Sequence, residues 1–209
     1  MLREQLNTTG QAKLEFSIPE NSTIQRILVF LKSSLIEFEH AFKTSQIQIH
    51  REDDISGQLA LYFQSKAKTE NLLFDFNPKV GVDFGIHISP MQLGAKPIFM
   101  VEAKRLDKSH KDYVKNPNGG IERFKREQDG FGKHLCQCAM IGFIQQESKV
   151  YWETKINGWI EDLIETKTDI VWNNEDKLIQ NYPVSDFVSN HQRITEKPIT
   201  LFHFWINLN

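Results

Sequence analysis

The sequence lacks any apolar run long enough to cross a membrane, and it contains very little cysteine. The longest candidate run, Ile27–Leu31, has five residues, whereas a membrane-spanning helix needs about 20. Met1–Gly10 also lacks the apolar stretch of a secretory signal peptide. The two cysteines, Cys136 and Cys138, are one residue apart, a spacing that supports neither a disulfide framework nor a zinc site. We therefore expect a cytoplasmic protein that does not associate with a membrane, with two buried or half-buried thiols.

The chain has enough apolar and aromatic side chains to build a folded core. Of its 209 residues, 40% are apolar and 15 are phenylalanine, which excludes wholesale disorder. This length fits one compact domain. We place an N-terminal helical extension at residues 1–44, packed on a core domain that comprises residues 45–209.

Positive charge is concentrated in the middle of the chain. The whole sequence has a net charge of −2, but residues 96–134 contain 10 Lys and Arg against 6 Asp and Glu. This distribution argues against a generic basic coat for nucleic acid and allows a local anion-binding site in the central segment. A solvated helix face would give the same pattern.

Hydrophobic periodicity predicts a mixed α/β fold with one central sheet flanked by helices. The predicted helices are residues 24–42, with an N-cap among 21–23, then 53 or 54 to 66, 121–133 and 152–166. The predicted strands are 80–88, 98–103, 138–144 and 199–208, with 72–76 as a short strand or loop and strand-like alternation at 13–18. Residues 47 and 49 suggest a short strand or an entry loop, and residues 178–188 stay unassigned.

Charged residues interrupt the two apolar strands that flank residue 93. Asp83 lies in the first strand, and Glu102 and Lys104 end the second. Glu102 and Lys104 share a face because side chains on a strand repeat every two residues. A hairpin folded about residue 93 pairs residues whose numbers sum to about 186, which puts Asp83 opposite residue 103, within one or two residues. The three side chains can then converge, either as a site for Mg²⁺ or Mn²⁺ or as a buried ion pair of Lys104 with Asp83 or Glu102.

The Glu-x-Lys tripeptide alone carries no information in this chain. It occurs five times, beginning at Glu102, Glu147, Glu153, Glu165 and Glu175. Only the copy at Glu102 ends an apolar strand that follows another strand with an isolated acid. An acid in such apolar surroundings is costly unless it is paired or bound to metal.

This ordered context resembles the PD-(D/E)XK superfamily, the restriction-endonuclease-like nucleases, over residues 45–146. The resemblance implies a restriction-endonuclease-like core in the domain 45–209 and a Mg²⁺- or Mn²⁺-dependent phosphodiester hydrolase. It implies that Asp83, Glu102 and the Ala103 carbonyl bind the metal and that Lys104 orients or helps to deprotonate the attacking water. A further acid on the preceding helix matches Glu52 best and Asp53 second. Val82 stands where the name-giving proline would be.

Basic residues directly follow the Glu-x-Lys strand and could hold a phosphate backbone beside the metal. They are Arg105, Lys108, Lys111, Lys115, Arg123, Lys125 and Arg126. Gly119 and Gly120 could let backbone N–H groups approach a phosphate. We expect His87 to be a structurally satisfied side chain, and we treat His110 and His134 as weaker candidates for phosphate contacts.

The resemblance implies nucleic acid as the substrate, DNA before RNA, in a bacterial restriction or antiviral defence setting. Because no reading domain is visible, a homodimer or a partner protein would supply the choice of target. Two other classes stay open. One is a catalytically silent nuclease-like subunit or adaptor, and the other is a small-molecule metal hydrolase on an unrelated α/β core. No phosphate-binding Gly-x-x-x-x-Gly-Lys loop is present.

Overall fold

The computed structural model describes residues 9–45, 48–76, 83–107, 111–115, 120–166 and 168–209, with side chains from residue 22 onward. The helices are α1 (Thr9–Ser45), α2 (Glu52–Ala67), α3 (Gly120–Arg126) and α4 (Lys149–Glu165). The strands are β1 (Leu72–Phe76), β2 (Phe84–Ile88), β3 (Phe99–Leu106), β4 (Gln137–Ile144), β5 (Ile179–Gln180), β6 (Phe187–Gln192) and β7 (Pro198–Asn207). Short 3₁₀ helices span Lys68–Glu70, Lys111–Tyr113, Gln128–Gly130 and Asn174–Asp176. Within these ranges, no helix is long and apolar enough to cross a membrane.

The strands form one mixed sheet in the order β1-β2-β3-β4-β7-β6-β5. The pairs β3–β4 and β4–β7 are parallel, and the other pairs are antiparallel. The chain therefore crosses from β3 to β4 through residues 107–136, a connection that contains α3. The expected α/β class with a central mixed sheet flanked by helices is confirmed.

Apolar side chains cover both faces of this sheet. On one face, α1 and α2 pack through residues such as Leu31, Leu59 and Phe63 against the inner positions of β1–β4. On the other face, α3 and α4 pack against β4 and β7 around Met140 and Trp205. Central strands buried on both sides read as nearly continuous apolar runs, which is why β3 and β4 were recognisable from sequence.

Several sequence-based boundaries differ from the structure. Residues 13–18 and 21–23 lie inside α1, so the predicted strand and N-cap there are wrong, because a formed helix gains one hydrogen bond for each residue added. The helix predicted to reach residue 133 ends at Arg126, since Glu127 (φ 50°) and Asp129 (φ 53°) adopt left-handed backbone conformations. Helix α2 begins at Glu52 rather than at residue 53 or 54.

Three minor predictions concern residues 47 and 49, the two cysteines and the segment 178–188. Ile49 lies in a loop, and residue 47 is outside the described ranges. Cys138 is buried as expected, whereas Cys136 is exposed, and both are free thiols. The unassigned segment 178–188 contains β5 and the start of β6.

Candidate metal centre at the end of the β2–β3 hairpin

The candidate site forms where β2 begins, beside the longer β3. Phe84, the first residue of β2, pairs with Val101, and β3 then continues to Leu106 beyond that end of β2. Along the part of β3 that β2 leaves unpaired, two carboxylates accept hydrogen bonds from backbone N–H groups. Asp83 Oδ2 accepts from the Ala103 N–H at 2.7 Å, and Glu52 Oε2 accepts from the Arg105 N–H at 2.9 Å. The register sums to 185, one less than predicted, and the acids still lie at β3.

Lys104 links acidic side chains of α2 and β3. Its Nζ lies 2.8 Å from Glu52 Oε1 and 3.1 Å from Glu102 Oε1. Arg123 Nη1, from α3, lies 3.4 Å from Glu102 Oε2. The structure thus brings Glu52, Asp83, Glu102 and Lys104 together, as the sequence predicted, and the second-choice helix acid, Asp53, is exposed.

Burial makes the negative charge of this cluster expensive. Glu102 is 2% exposed and Asp83 is 9% exposed. Burial, and then the Glu102 charge, raises the pKa of Asp83 to about 7. Burial also raises the pKa of Glu102 above its ordinary value, although Lys104 and Arg123 oppose this shift. The cluster therefore has an excess of buried carboxylate that a further cation would stabilise.

Lys104 is held as a cation. Burial lowers the pKa of its ammonium group, but the charges of Glu102, Glu52 and Asp83 outweigh burial, and the pKa rises above its ordinary value. In this arrangement Lys104 donates hydrogen bonds and does not accept a proton. That Lys104 orients or helps to deprotonate the attacking water stays a prediction.

The donor chemistry of the site fits a hard divalent cation only with solvent as a co-ligand. In the part of the chain that the structure describes, no group of three His, Cys, Asp or Glu side chains is arranged to hold a metal ion. Two carboxylates, from Asp83 and Glu102, are nevertheless sufficient for Mg²⁺, which keeps several waters when bound. Ala103 follows Glu102 on β3, and its carbonyl stays a predicted ligand.

Two of the predicted phosphate-binding residues flank this cluster. Arg105 donates from Nη1 to the His50 carbonyl at 3.1 Å and keeps its side chain 38% exposed. Arg123 stacks over the Phe131 ring, with its guanidinium carbon 3.9 Å from the ring centre. These contacts fix the Arg123 guanidinium group beside Glu102, whereas the guanidinium group of Arg105 pairs with Asp107 at 3.2 Å.

The other predicted basic residues lie outside this cluster or have other partners. Lys111 pairs with Asp162, Arg126 pairs with Glu122 and Asp169, and Lys115 is exposed. Lys108, like His110 and Gly119, is outside the described residues.

Lys125 is a clear correction. It is fully buried, and its Nζ lies 2.5 Å from Asp176 Oδ1. It faces the core side of α3 rather than solvent, so it cannot contact a phosphate backbone in this fold.

The structure gives the surroundings of three more candidate residues. His87 is 6% exposed, and its Nδ1 has no hydrogen-bond partner among the described residues, so it is not the satisfied side chain we expected. Gly120 (φ 66°) leaves no room for a side chain, because a Cβ there would lie 2.3 Å from the Asp112 carbonyl oxygen. It thus packs α3 against the preceding 3₁₀ helix. His134 bonds to the Pro97 carbonyl.

Sequence reasoning missed a second polar cluster in the core. Asp176, Ser189, His191 and His203 are each at most 1% exposed and are joined by hydrogen bonds. The available signal was polar residues at alternate positions of β6, where Ser189 and His191 share one face.

Comparison with known proteins identifies no relative: no family model, no curated protein and no solved structure matches this chain. The fold and the site therefore define the protein only as an α/β protein with a mixed seven-stranded sheet.

Proposed function

We propose that the protein is a divalent-metal-dependent nuclease that hydrolyses phosphodiester bonds, with DNA as its substrate. One observation carries the proposal: Asp83, Glu102, Lys104 and Glu52, which are 52 residues apart at the extremes, converge at one end of β3. Two buried carboxylates beside a protonated lysine suit metal-assisted attack of water on a phosphodiester. A bacterial restriction or antiviral defence setting, and a homodimer or partner that selects the target, belong to the same proposal.

Each residue of the site would have a separate role in the reaction. Asp83 and Glu102 would hold the cation, with the Ala103 carbonyl as a third ligand. The bound cation would lower the pKa of a coordinated water and neutralise charge on the phosphate. Lys104, as a donor, would orient the attacking water and stabilise the negative charge that develops on the phosphate. Glu52 fixes Lys104 through the 2.8 Å contact with its Nζ, and Arg105 and Arg123 would bind neighbouring phosphate oxygens.

The test is cleavage of supercoiled plasmid with Mg²⁺ or Mn²⁺, compared with EDTA. We expect metal-dependent nicking that Lys104→Ala lowers by about 10²- to 10³-fold, the range seen when one electrostatic stabiliser is removed. Lys155→Ala is the matched control, because Glu153 and Lys155 form another Glu-x-Lys, on α4. Equal activity of Lys104→Ala and wild type would contradict the proposed site.

A second candidate is a nuclease-like subunit or adaptor without catalysis. It is favoured by the pairing of Glu102 with both Lys104 and Arg123, which neutralises this acid without a metal. It is disfavoured by Asp83, which bonds to the Ala103 N–H and keeps a raised pKa. Absence of cleavage of both DNA and RNA by wild type, together with a fold unaffected by Mn²⁺, would favour this candidate.

A further inference from the structure

A continuous chain of buried hydrogen bonds runs from Asp176 to Trp205. Asp176 Oδ1 lies 2.5 Å from His191 Nδ1, and His191 Nε2 lies 2.6 Å from Ser189 Oγ. Ser189 Oγ lies 2.7 Å from His203 Nε2, and His203 Nδ1 lies 2.8 Å from the Tyr113 hydroxyl. Trp205 Nε1 donates to the same hydroxyl at 2.9 Å.

The direction of every bond in this chain follows from its ends. An indole N–H only donates, so the Tyr113 oxygen accepts from Trp205 and its proton goes to His203 Nδ1. Burial lowers the pKa of His203 and of His191, so each ring carries one N–H. His203 therefore donates to Ser189, Ser189 donates to His191, and His191 donates to the Asp176 carboxylate. A chain with all donors oriented one way strengthens each bond in it.

The segment Asp176–His191–Ser189 has the distances of a nucleophilic triad, but it has no access to substrate. The three residues are 0%, 1% and 0% exposed. His203 also occupies the Ser189 oxygen from the other side. The hydrogen-bond chain must therefore act through the parts of the fold that it holds in place.

Near each of its ends, the hydrogen-bond chain is attached to the segment that connects β3 and β4. Tyr113 belongs to the 3₁₀ helix Lys111–Tyr113, and Lys125, which pairs with Asp176, belongs to α3. The two pieces are joined directly, since the Glu122 N–H donates to the Val114 carbonyl at 2.9 Å. Gly120 lets α3 approach the 3₁₀ helix at backbone distance.

Arg123 lies on α3 between these two attachments. It points to the opposite side from Lys125, and its Nη1 lies 3.4 Å from Glu102 Oε2. Stacking on Phe131 fixes its guanidinium group. The placement of Arg123 at the candidate site therefore depends on how firmly α3 is held.

We propose that the hydrogen-bond chain from Asp176 to Trp205 is a positioning device that holds α3, and through α3 places Arg123 at Glu102. Tyr113, Ser189 and His203 are then positioning residues for a site that they do not touch. The inference rests on the proposed function in that Arg123 is taken to bind a phosphate oxygen during cleavage.

Two variants test this coupling with two readouts. Tyr113→Phe removes one hydroxyl, and Ser189→Ala breaks the chain at its centre. We expect each to accelerate amide hydrogen exchange at Glu122, while the β4 amides stay protected. We also expect each to lower kcat by up to about 10²-fold with little change in KM, since a displacement of about 1 Å at a site can cost this much. Tyr182→Phe, at a tyrosine that is 81% exposed, is the matched control.

A double-mutant comparison separates positioning from general stability. In an Arg123→Ala background, Tyr113→Phe should lower kcat no further, because its effect acts through Arg123. Additive losses in kcat, or unchanged exchange at Glu122 in folded Tyr113→Phe, would overturn the inference. If wild type cleaves nothing, the proposed function fails, and the exchange measurement alone still decides whether the chain holds α3. If Ser189→Ala does not fold, Tyr113→Phe decides the result.

Discussion

Asp83→Asn is expected to produce a protein that has lost metal-dependent cleavage and is more stable than wild type at pH 8 in EDTA. The amide oxygen of the introduced asparagine can still accept from the Ala103 N–H, so the hydrogen bond that caps β3 survives. The buried charge next to Glu102 is removed. Urea unfolding at pH 8, together with plasmid cleavage in Mn²⁺, measures both effects.

The sign follows from proton linkage. The pKa of Asp83 rises from 3.8 to about 7, mainly through burial, so the folded protein holds a proton that the unfolded chain releases above about pH 4. The bound proton stabilises the folded protein fully below that pH. Its contribution to the free energy of unfolding is at most on the order of 4 kcal/mol and is lost as pH rises through 7. In Asp83→Asn the free energy of unfolding should depend less on pH in this range. Some dependence should remain, because the pKa of Glu102 is also raised. Wild-type stability that does not change between pH 5 and pH 8 would contradict this account, and exposed Asp53→Asn is the control.

Lys125→Met is expected to lower the free energy of unfolding by about 3–5 kcal/mol, the cost of leaving one partner of a buried ion pair uncompensated. Both partners are fully buried, and the Asp176 carboxylate would keep only its neutral donors, His191 and the Asn173 N–H. Methionine fills most of the volume of the lysine stem, so the loss reports charge rather than a cavity. Urea unfolding at neutral pH is the measurement.

The double variant Lys125→Met with Asp176→Asn provides the internal check. Without a buried charge on either side, it should recover much of the stability that the single variant loses, since a buried ion pair is often replaceable by neutral groups. Lys177→Met serves as the surface control, because Lys177 pairs with the largely exposed Glu161 and should cost at most about 1 kcal/mol. Equal losses for Lys125→Met and Lys177→Met would show that the Lys125–Asp176 pair is not the anchor we describe.

The candidate site was predictable because its geometry follows from local rules. Strand periodicity fixed the common face of Glu102 and Lys104, and a midpoint estimate brought Asp83 to the same end of the hairpin. The observed register, in which paired residue numbers sum to 185, lies within the one or two residues that this estimate allowed. Glu52 was ranked above Asp53 by resemblance, and the structure directs Glu52 to Lys104.

The role of Lys125 could not be predicted from the sequence, because its partner is 51 residues away. A run of basic residues suggests a solvated face, and only the tertiary fold places Asp176 under α3. The buried chain has the same origin, since β6, β7 and the 3₁₀ helices at residues 111–113 and 174–176 each contribute to it. The early end of α3 depends on two left-handed residues, Glu127 and Asp129. Glutamate rarely adopts that conformation, so little in the sequence indicated it at residue 127.

The central claim is that Asp83 and Glu102 hold a divalent cation, and a Mn²⁺ titration followed by calorimetry at pH 8 tests it most directly. We predict saturable binding to wild type that Glu102→Gln removes and that Glu153→Gln, on α4, leaves unchanged. We also predict that saturating Mn²⁺ raises the unfolding temperature of wild type, since a ligand that binds the folded state stabilises it. No binding to wild type, or undiminished binding to Glu102→Gln, would contradict the account.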